Sequence, residues 1–261
     1  MLETLATEPT VEMPPTQAEL PYDDGIPMET QRHKLQLDIL IDTIQPWLDQ
    51  RTDGYVGGNM FVYYSLAQLK NQDFRGPDFF AVLGVPKKER LSWVVWEEGK
   101  SPDVVIELLS GSTAKNDKSE KKLIYQNQMR VSEYFWFDPF HPDDFTGFHI
   151  NSGVYEPIAF NDENQLVSTV LGLTLVRWHG NYRGVDATWL RWASLEGELF
   201  PTSIELAEQE KQRAEQEKQR AEQAESQFRQ VVVNLLNNGM SIEQVAQATA
   251  LEVTEIEKMK P

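Results

Sequence analysis

Residues 101–122 read SPDVVIELLSGSTAKNDKSEKK, and the fold class turns on how this stretch is parsed. Val104 to Leu109 is an aliphatic run preceded by a proline and followed two residues on by a glycine, which predicts a strand. Strand side chains alternate, so Val104, Ile106 and Leu108 share one face, and Asp103, Val105, Glu107 and Leu109 the other. The all-aliphatic face belongs to a core. Glu107 then stands on the opposite face among apolar neighbours, where a carboxylate is costly unless it is paired, protonated or bound to a metal. After the small-residue loop SGST, residues 115–130 place Leu123, Ile124 and Tyr125 among charged residues without strand alternation, which predicts a helix. A buried strand followed by a helix and more strands points to an α/β fold: a mixed β-sheet flanked by helices.

Further β-rich runs lie on both sides. MFVYYS (60–65), DFFAVLG (78–84), SWVVWEE (92–98), EYFWFD (133–138), GFHI (147–150) and VYEPIAF (154–160) are separated by Gly, Pro and Asn, and INSGVY has hairpin-turn composition. Before them, Leu37, Leu40, Ile41, Ile44, Trp47 and Leu48 mark one face of a helix whose last turn Pro46 should kink or shorten. Residues 1–30 show no periodicity and read as a mobile acidic tail, leaving 31–200 as the main folded domain.

The C-terminal part is helical throughout. EQEKQRA occurs at 208–214 and 215–221 and decays to EQAESQF at 222–228, a seven-residue repeat. Ala207, Ala214, Ala221 and Phe228 hold one heptad position, but the residues three or four further on are mainly Glu, Gln and Lys, which gives half a coiled-coil seam. Residues 201–238 are therefore expected as one charged helix. It is either solvated, with pairs such as Lys211–Glu215 and Lys218–Glu222, or weakly self-associating. Residues 239–261 read as a small helical hairpin of helix-turn-helix type, with an Asn-Gly stop, a Ser241 cap and a last helix over 253–259. That last helix and its lead-in carry Glu252, Glu255 and Glu257 against Lys258 and Lys260. A helix that reads DNA should be basic, so this hairpin is read as a packing or partner-binding unit.

With 261 residues, 40% of them hydrophobic, seven Trp and twelve Phe, the chain can bury one sizeable core. No apolar run approaches membrane-spanning length and no secretory pattern opens the chain, so the expectation is a cytoplasmic protein without a membrane anchor. The absence of cysteine excludes disulfides and thiolate-bound zinc, and His33, His141, His149 and His179 lack close metal-binding spacing. Any metal should be oxygen-ligated. The net charge of −17 opposes nonspecific nucleic-acid binding but is unevenly spread: −7 over 1–30, −6 over 31–200 and −4 over 201–261. Within the middle segment Lys115, Lys118, Lys121 and Lys122 cluster, so the local field can oppose the total.

Glu107 finds a natural companion in Asp78 of RGPDFFAV, the start of another strand. Two carboxylates from neighbouring strands suit a hard cation such as Mg²⁺ or Mn²⁺, with water, a carbonyl or a phosphate oxygen completing the shell. Asp117, Lys121 and Tyr125 are spaced by four and stack along one side of the following helix. A lysine there could orient or deprotonate a water and offset charge on a phosphate, which is metal-assisted phosphodiester hydrolysis. Other polar features have plainer readings. Asp103 is a solvated strand end, Tyr125 and Tyr134 are core aromatics with wet hydroxyls, and HPDD (141–144) is a polar loop. SGSTAK lacks the G-x-x-x-x-G-K-[ST] pattern of a nucleotide cradle.

GPD at 76–78, VVIELLSGST at 104–113, Asp117, Lys121 and Tyr125 in series, and VSEYFWFDP at 131–139 together resemble the Uma-type restriction endonuclease family of bacteria, within the PD-(D/E)XK nuclease superfamily. The likeness spans roughly residues 31–180. It implies a restriction-endonuclease-like fold, Mg²⁺-dependent cleavage of DNA, and Asp78 and Glu107 as the two metal-binding acids. One position departs from the superfamily: its lysine stands two residues after the second acid, where this chain has Leu109. The resemblance implies that a lysine of the next helix takes the role, Lys121 first and Lys118 or Lys122 in reserve. A chain without such a lysine would keep the fold as an inactive interaction protein, self-associating or binding a partner through its C-terminal helices.

Overall fold

The computed structural model describes residues 13–22, 29–66 and 76–259. Residues 1–12 and 23–28 of the segment read as a tail lie outside them. The chain divides into two units, Met1–Thr202 and Ser203–Pro261.

The first unit is built on a six-stranded mixed sheet in the order β1-β3-β5-β6-β7-β8. These strands are β1 (Tyr55–Gly58), β3 (Phe79–Val82), β5 (Val104–Leu108), β6 (Glu133–Phe137), β7 (Phe145–Asn151) and β8 (Val154–Pro157). β5 and β6 run parallel and the other neighbours antiparallel. A parallel pair needs a crossover, and the helix over 114–129 supplies it. The second sheet is antiparallel, β11-β10-β9, comprising β9 (Leu166–Ser168), β10 (Leu173–Tyr182) and β11 (Val185–Ala193), and β2 (Val62–Tyr63) pairs in parallel with β4 (Trp93–Val94).

The strand reading of 104–109 holds, and both faces of β5 are buried. Val104, Ile106 and Leu108 join Phe79, Phe135 and Leu40 in one core. Val105 and Leu109 join Phe80, Tyr125 and Tyr134 in a second. Helix α1 (Gln31–Asp49) carries Pro46 within its span and covers the first core with Leu37, Leu40 and Ile44. Its other buried side, Leu35 and Ile39, packs on Trp189. Gln36, fully buried, donates to Leu190 O at 2.8 Å and accepts from Leu190 N at 2.9 Å. One side-chain amide thus satisfies the edge of β11 as a neighbouring strand would.

Three expectations need correction. SWVVWEE is a strand only at Trp93–Val94; Val95–Glu98 forms a helical turn ended by Gly99 at φ 73°, and Glu98 is held by Arg90 at 2.8 Å and Lys88 at 2.9 Å. Residues 13–22, within the expected mobile tail, lie against the core. Leu20 is buried with Phe61, Tyr63 and Val94, Gln17 bonds Glu97 through its backbone and side-chain nitrogens, and Trp96 and Tyr63 donate to the carbonyls of Pro15 and Pro21. Prolines bar regular structure there, but their carbonyls still accept hydrogen bonds. Asp103, read as a solvated strand end, accepts from Leu83 N at 2.8 Å and pairs with Lys100 at 2.8 Å.

In the second unit one helix, Ser203–Asn237, carries the heptads, and Lys218 and Glu222 lie 3.9 Å apart on it. The expected boundary at residue 238 cuts through a small core. Val232 of the long helix is buried with Val245 of Ile242–Thr249 and Ile256 of Val253–Met259, because two short helices cannot bury their apolar faces alone. Ser241 and Gln244 form a reciprocal N-cap. Ala250 takes the left-handed turn position at φ 59°, where the sequence lacks the usual glycine.

A candidate metal centre between two strands and a helix

Strand register builds the site. β3 and β5 pair Phe79 with Ile106 and Phe80 with Val105. One step further along this antiparallel ladder, Asp78 stands opposite Glu107, and directly opposed residues project from the same face with Cβ atoms about 5 Å apart. Two bonds fix Asp78 in place: its carboxylate accepts from Leu108 N at 2.7 Å, and its carbonyl accepts from Asn59 N at 3.1 Å. Gly58 is required beside it, because a Cβ there would lie 2.7 Å from Asp78 O and 2.4 Å from Leu37 Cδ1.

Glu107 is fully buried. Tyr125 Oη donates to its Oε1 at 2.6 Å, and Lys121 Nζ lies 3.1 Å from its Oε2. Lys121 also reaches Asp117 Oδ1 at 2.8 Å, and Asp117 is 1% exposed. The four-residue spacing of Asp117, Lys121 and Tyr125 does place them on one side of the helix, which mixes α turns with wider π turns at Asp117–Lys121 and Tyr125–Met129. Such π segments occur often at functional sites. Tyr134 Oη donates to Asp117 O at 2.9 Å, tying β6 to the helix.

The electrostatics follow from three carboxylates around one ammonium. Burial and the neighbouring Glu107 push the Asp78 carboxyl well above its usual range. The same two causes raise Asp117. For Lys121, burial favours the neutral amine, but Glu107 and Asp117 outweigh it and hold the ammonium above its ordinary value. Burial and Glu107 keep Tyr125 a phenol, consistent with its role as donor. Lys121 is therefore a cationic donor here, suited to orienting a water or steadying negative charge.

The sequence-named residues Asp78, Glu107 and Lys121 come together. The reserves point elsewhere: Lys118 pairs with Asp144, and Lys122 Nζ sits 3.4 Å from the centre of the Phe148 ring. Leu109, where the resemblance would have put a lysine, packs in the second core. The reading missed Tyr125 as a ligand of Glu107 and Asp117 as the second anchor of Lys121. The spacing of four was the available signal for both, and the aromatic preference for cores obscured the first. HPDD is more than a polar loop, since Asp144 holds Lys118 and also accepts from Trp136 Nε1 at 3.1 Å.

The donor set fits a hard dication: Asp78 and Glu107 offer oxygens only, and the surplus negative charge around one lysine favours a cation there. Among the described residues, no group of three or more His, Cys, Asp or Glu side chains forms a metal cluster. The two carboxylates would therefore be the side-chain ligands, with water, carbonyl or substrate oxygens supplying the rest.

No curated protein matches the chain. A solved structure described as a "putative nuclease belonging to DUF820 from Anabaena variabilis ATCC 29413" is 16% identical and covers 60% of this chain and 91% of that one, with a TM-score of 0.41. The model of the family described as "Uma2: Putative restriction endonuclease" matches residues 8–178, which takes in both acids, the lysine helix and the strands that carry them, and the chain belongs to that family.

Proposed function

We propose that the chain is a Mg²⁺- or Mn²⁺-dependent endonuclease that hydrolyses phosphodiester bonds in DNA. The observation that carries this reading is the convergence of Asp78 and Glu107 from opposed strand positions, with Lys121 Nζ 3.1 Å from Glu107. Asp78 and Glu107 would hold the ion, which when bound supplies Lewis-acid activation of water and neutralises phosphoryl charge. Lys121 donates from its ammonium to the attacking water or to a non-bridging phosphate oxygen. Asp117 holds that ammonium in place, and Tyr125 fixes the rotamer of Glu107.

The test is cleavage of plasmid DNA with and without added Mg²⁺ or Mn²⁺, together with the Glu107→Ala variant. Metal-stimulated cleavage that disappears in Glu107→Ala, with the fold retained, is the expected result. Equal rates in both proteins would remove the proposal.

One observation favours a second reading, an interaction protein that self-associates through its C-terminal helix. Phe228 and Val231 on the heptad helix are 39% and 50% exposed. Truncation after Phe200 separates the two readings. Loss of oligomers, with no cleavage by either form, supports the interaction protein; cleavage by the truncated core supports the nuclease.

A further inference from the structure

The SGST loop does not serve the metal centre directly, yet it holds an anion. Glu29 reaches across from the segment before α1, and both Ser110 Oγ, at 2.7 Å, and Ser112 Oγ, at 3.3 Å, donate to its Oε1. Its Oε2 lies 3.4 Å from Nε2 of His33. His33 is 3% exposed, and its Nε2 also sits 3.0 Å from the carbonyl of Leu109. A carbonyl only accepts, so Nε2 carries the proton and gives it to Leu109, and the carboxylate lies beside the same edge of the ring. Two hydroxyls of the loop thus converge on one carboxylate, with the edge of a buried imidazole from α1 beside it.

The loop is joined to the helix that carries the metal centre's lysine. Ser110 Oγ lies 3.0 Å from Thr113 Oγ1, and the carbonyl of Thr113 accepts from the backbone N–H of Asp117 at 3.0 Å, the residue whose carboxylate anchors Lys121. Along β5, Ser110 stands three residues beyond Glu107, about 10 Å at strand rise. An anion bound there would lie within one or two nucleotide steps of a phosphate at the metal centre. Beside it, the guanidinium of Arg32 is 5.2 Å from the ring of Phe140, and Phe140 in turn lies 5.8 Å from the His33 ring. An arginine on an aromatic is a surface that nucleic-acid strands favour.

We propose that Ser110, Ser112 and His33 form a phosphate subsite, and that Glu29 occupies it in the free protein as a substitute anion that substrate must displace. This assignment rests on the nuclease reading for the identity of the phosphate, a backbone phosphate of DNA next to the scissile one. Glu29 then acts as an internal competitor.

The experiment uses the full chain in EDTA. It measures anisotropy of a labelled DNA duplex at fixed low salt and thermal melting with millimolar inorganic phosphate. Glu29→Ala is expected to bind DNA about fivefold more tightly than the wild type, since one repelled phosphate becomes a bonded one, and to gain stability in inorganic phosphate. Ser110→Ala/Ser112→Ala should bind more weakly than Glu29→Ala, and adding Glu29→Ala to it should change nothing. Ser110 Oγ also accepts from Thr113 N at 3.1 Å. If the double variant melts early, Ser112→Ala alone, which keeps that turn bond, makes the same comparison. A Glu29→Ala protein with wild-type DNA affinity and no response to phosphate overturns the subsite. So does a gain that persists without the two hydroxyls, because that is removal of charge in general. If Glu29→Ala responds to inorganic phosphate through the hydroxyls while no form binds DNA either in EDTA or with Ca²⁺ in place of Mg²⁺, the subsite stands and the nuclease reading falls.

Discussion

Asp78→Asn should abolish metal-dependent cleavage and at the same time make the metal-free protein more stable. Asp78 and Glu107 are opposed with Cβ atoms about 5 Å apart, so two ionised carboxylates repel by about 3 kcal/mol at an effective dielectric near 20. Attraction to Lys121, which favours the charged form of Asp78, returns part of this. Asparagine keeps an oxygen for Leu108 N, though a neutral acceptor weakens that bond by about 1 kcal/mol, and its amide can donate to Glu107. The balance is a gain of roughly 1–2 kcal/mol, or about 2–6 °C in melting temperature for a domain of this size.

The sign of the pH dependence follows from the raised carboxyl. Stability contributed by a group whose folded pKa is raised is fully present below its unfolded value, near 3.9, and is lost as pH rises through the folded value. The advantage of Asp78→Asn should therefore be largest at neutral pH and shrink on acidification. All seven tryptophans lie before residue 203, so their fluorescence follows the first unit alone during a melt in EDTA. Added Mg²⁺ should stabilise the wild type and leave the variant unmoved. A variant less stable than the wild type at neutral pH would mean that the Asp78 charge is already compensated without metal, and the electrostatic account of the site would be wrong.

Four further outcomes follow from named contacts. Lys121→Met leaves Glu107 and Asp117 without their cation, so a loss of about 3 kcal/mol in a urea melt should accompany loss of cleavage. Tyr125→Phe deletes the 2.6 Å bond to Glu107 and should cost about 2 kcal/mol, with a fall in kcat larger than any change in KM. Gln36→Leu leaves the buried N–H and C=O of Leu190 unpaired, at about 3 kcal/mol, and hydrogen exchange along β11 should accelerate. Ala250→Gly relieves the left-handed alanine and should stabilise the second unit by about 1 kcal/mol, seen in the full chain as slower hydrogen exchange over Ile242–Thr249.

What could be read from the sequence divides by the range of the forces involved. Strands β3, β5 and β6 are dense apolar runs whose burial on both faces leaves a strong local signal. The stop at Asn238–Gly239 and the cap at Ser241 are likewise local chemistry. β10 and β11 escaped because they mix Trp and Leu with Arg177, His179, Asn181 and Asp186; long cross-strand pairing and a two-residue turn at Arg183 and Gly184, both at positive φ, hold them together. The helical turn at Val95–Glu98 overrides a β-rich composition through ion pairs to Arg90 and Lys88, which come from outside the run. No local pattern encodes such partners.

The candidate site was legible to the extent that its cost was visible. A glutamate in an aliphatic strand is unfavourable by itself, and only a compensating group elsewhere accounts for it; that cost points to Asp78, and the resemblance points to Lys121 on the next helix. What could not be read was the second layer. Tyr125 looks like any core aromatic until its hydroxyl is seen at Glu107, and Asp117 looks like one more surface acid of a charged helix until its burial is known. A leucine at 109, where the resemblance leads one to expect a lysine, fits the same physics. At 109 the side chain lies in the apolar second core, whereas Lys121 is 18% exposed with carboxylates on two sides, so the helix offers an ammonium partners that the strand position does not. Leu109→Lys combined with Lys121→Met should therefore fail to restore activity and should unfold more readily than Lys121→Met alone. Recovery of cleavage in that double variant would show that the strand position can still serve the site and that the helix lysine is dispensable.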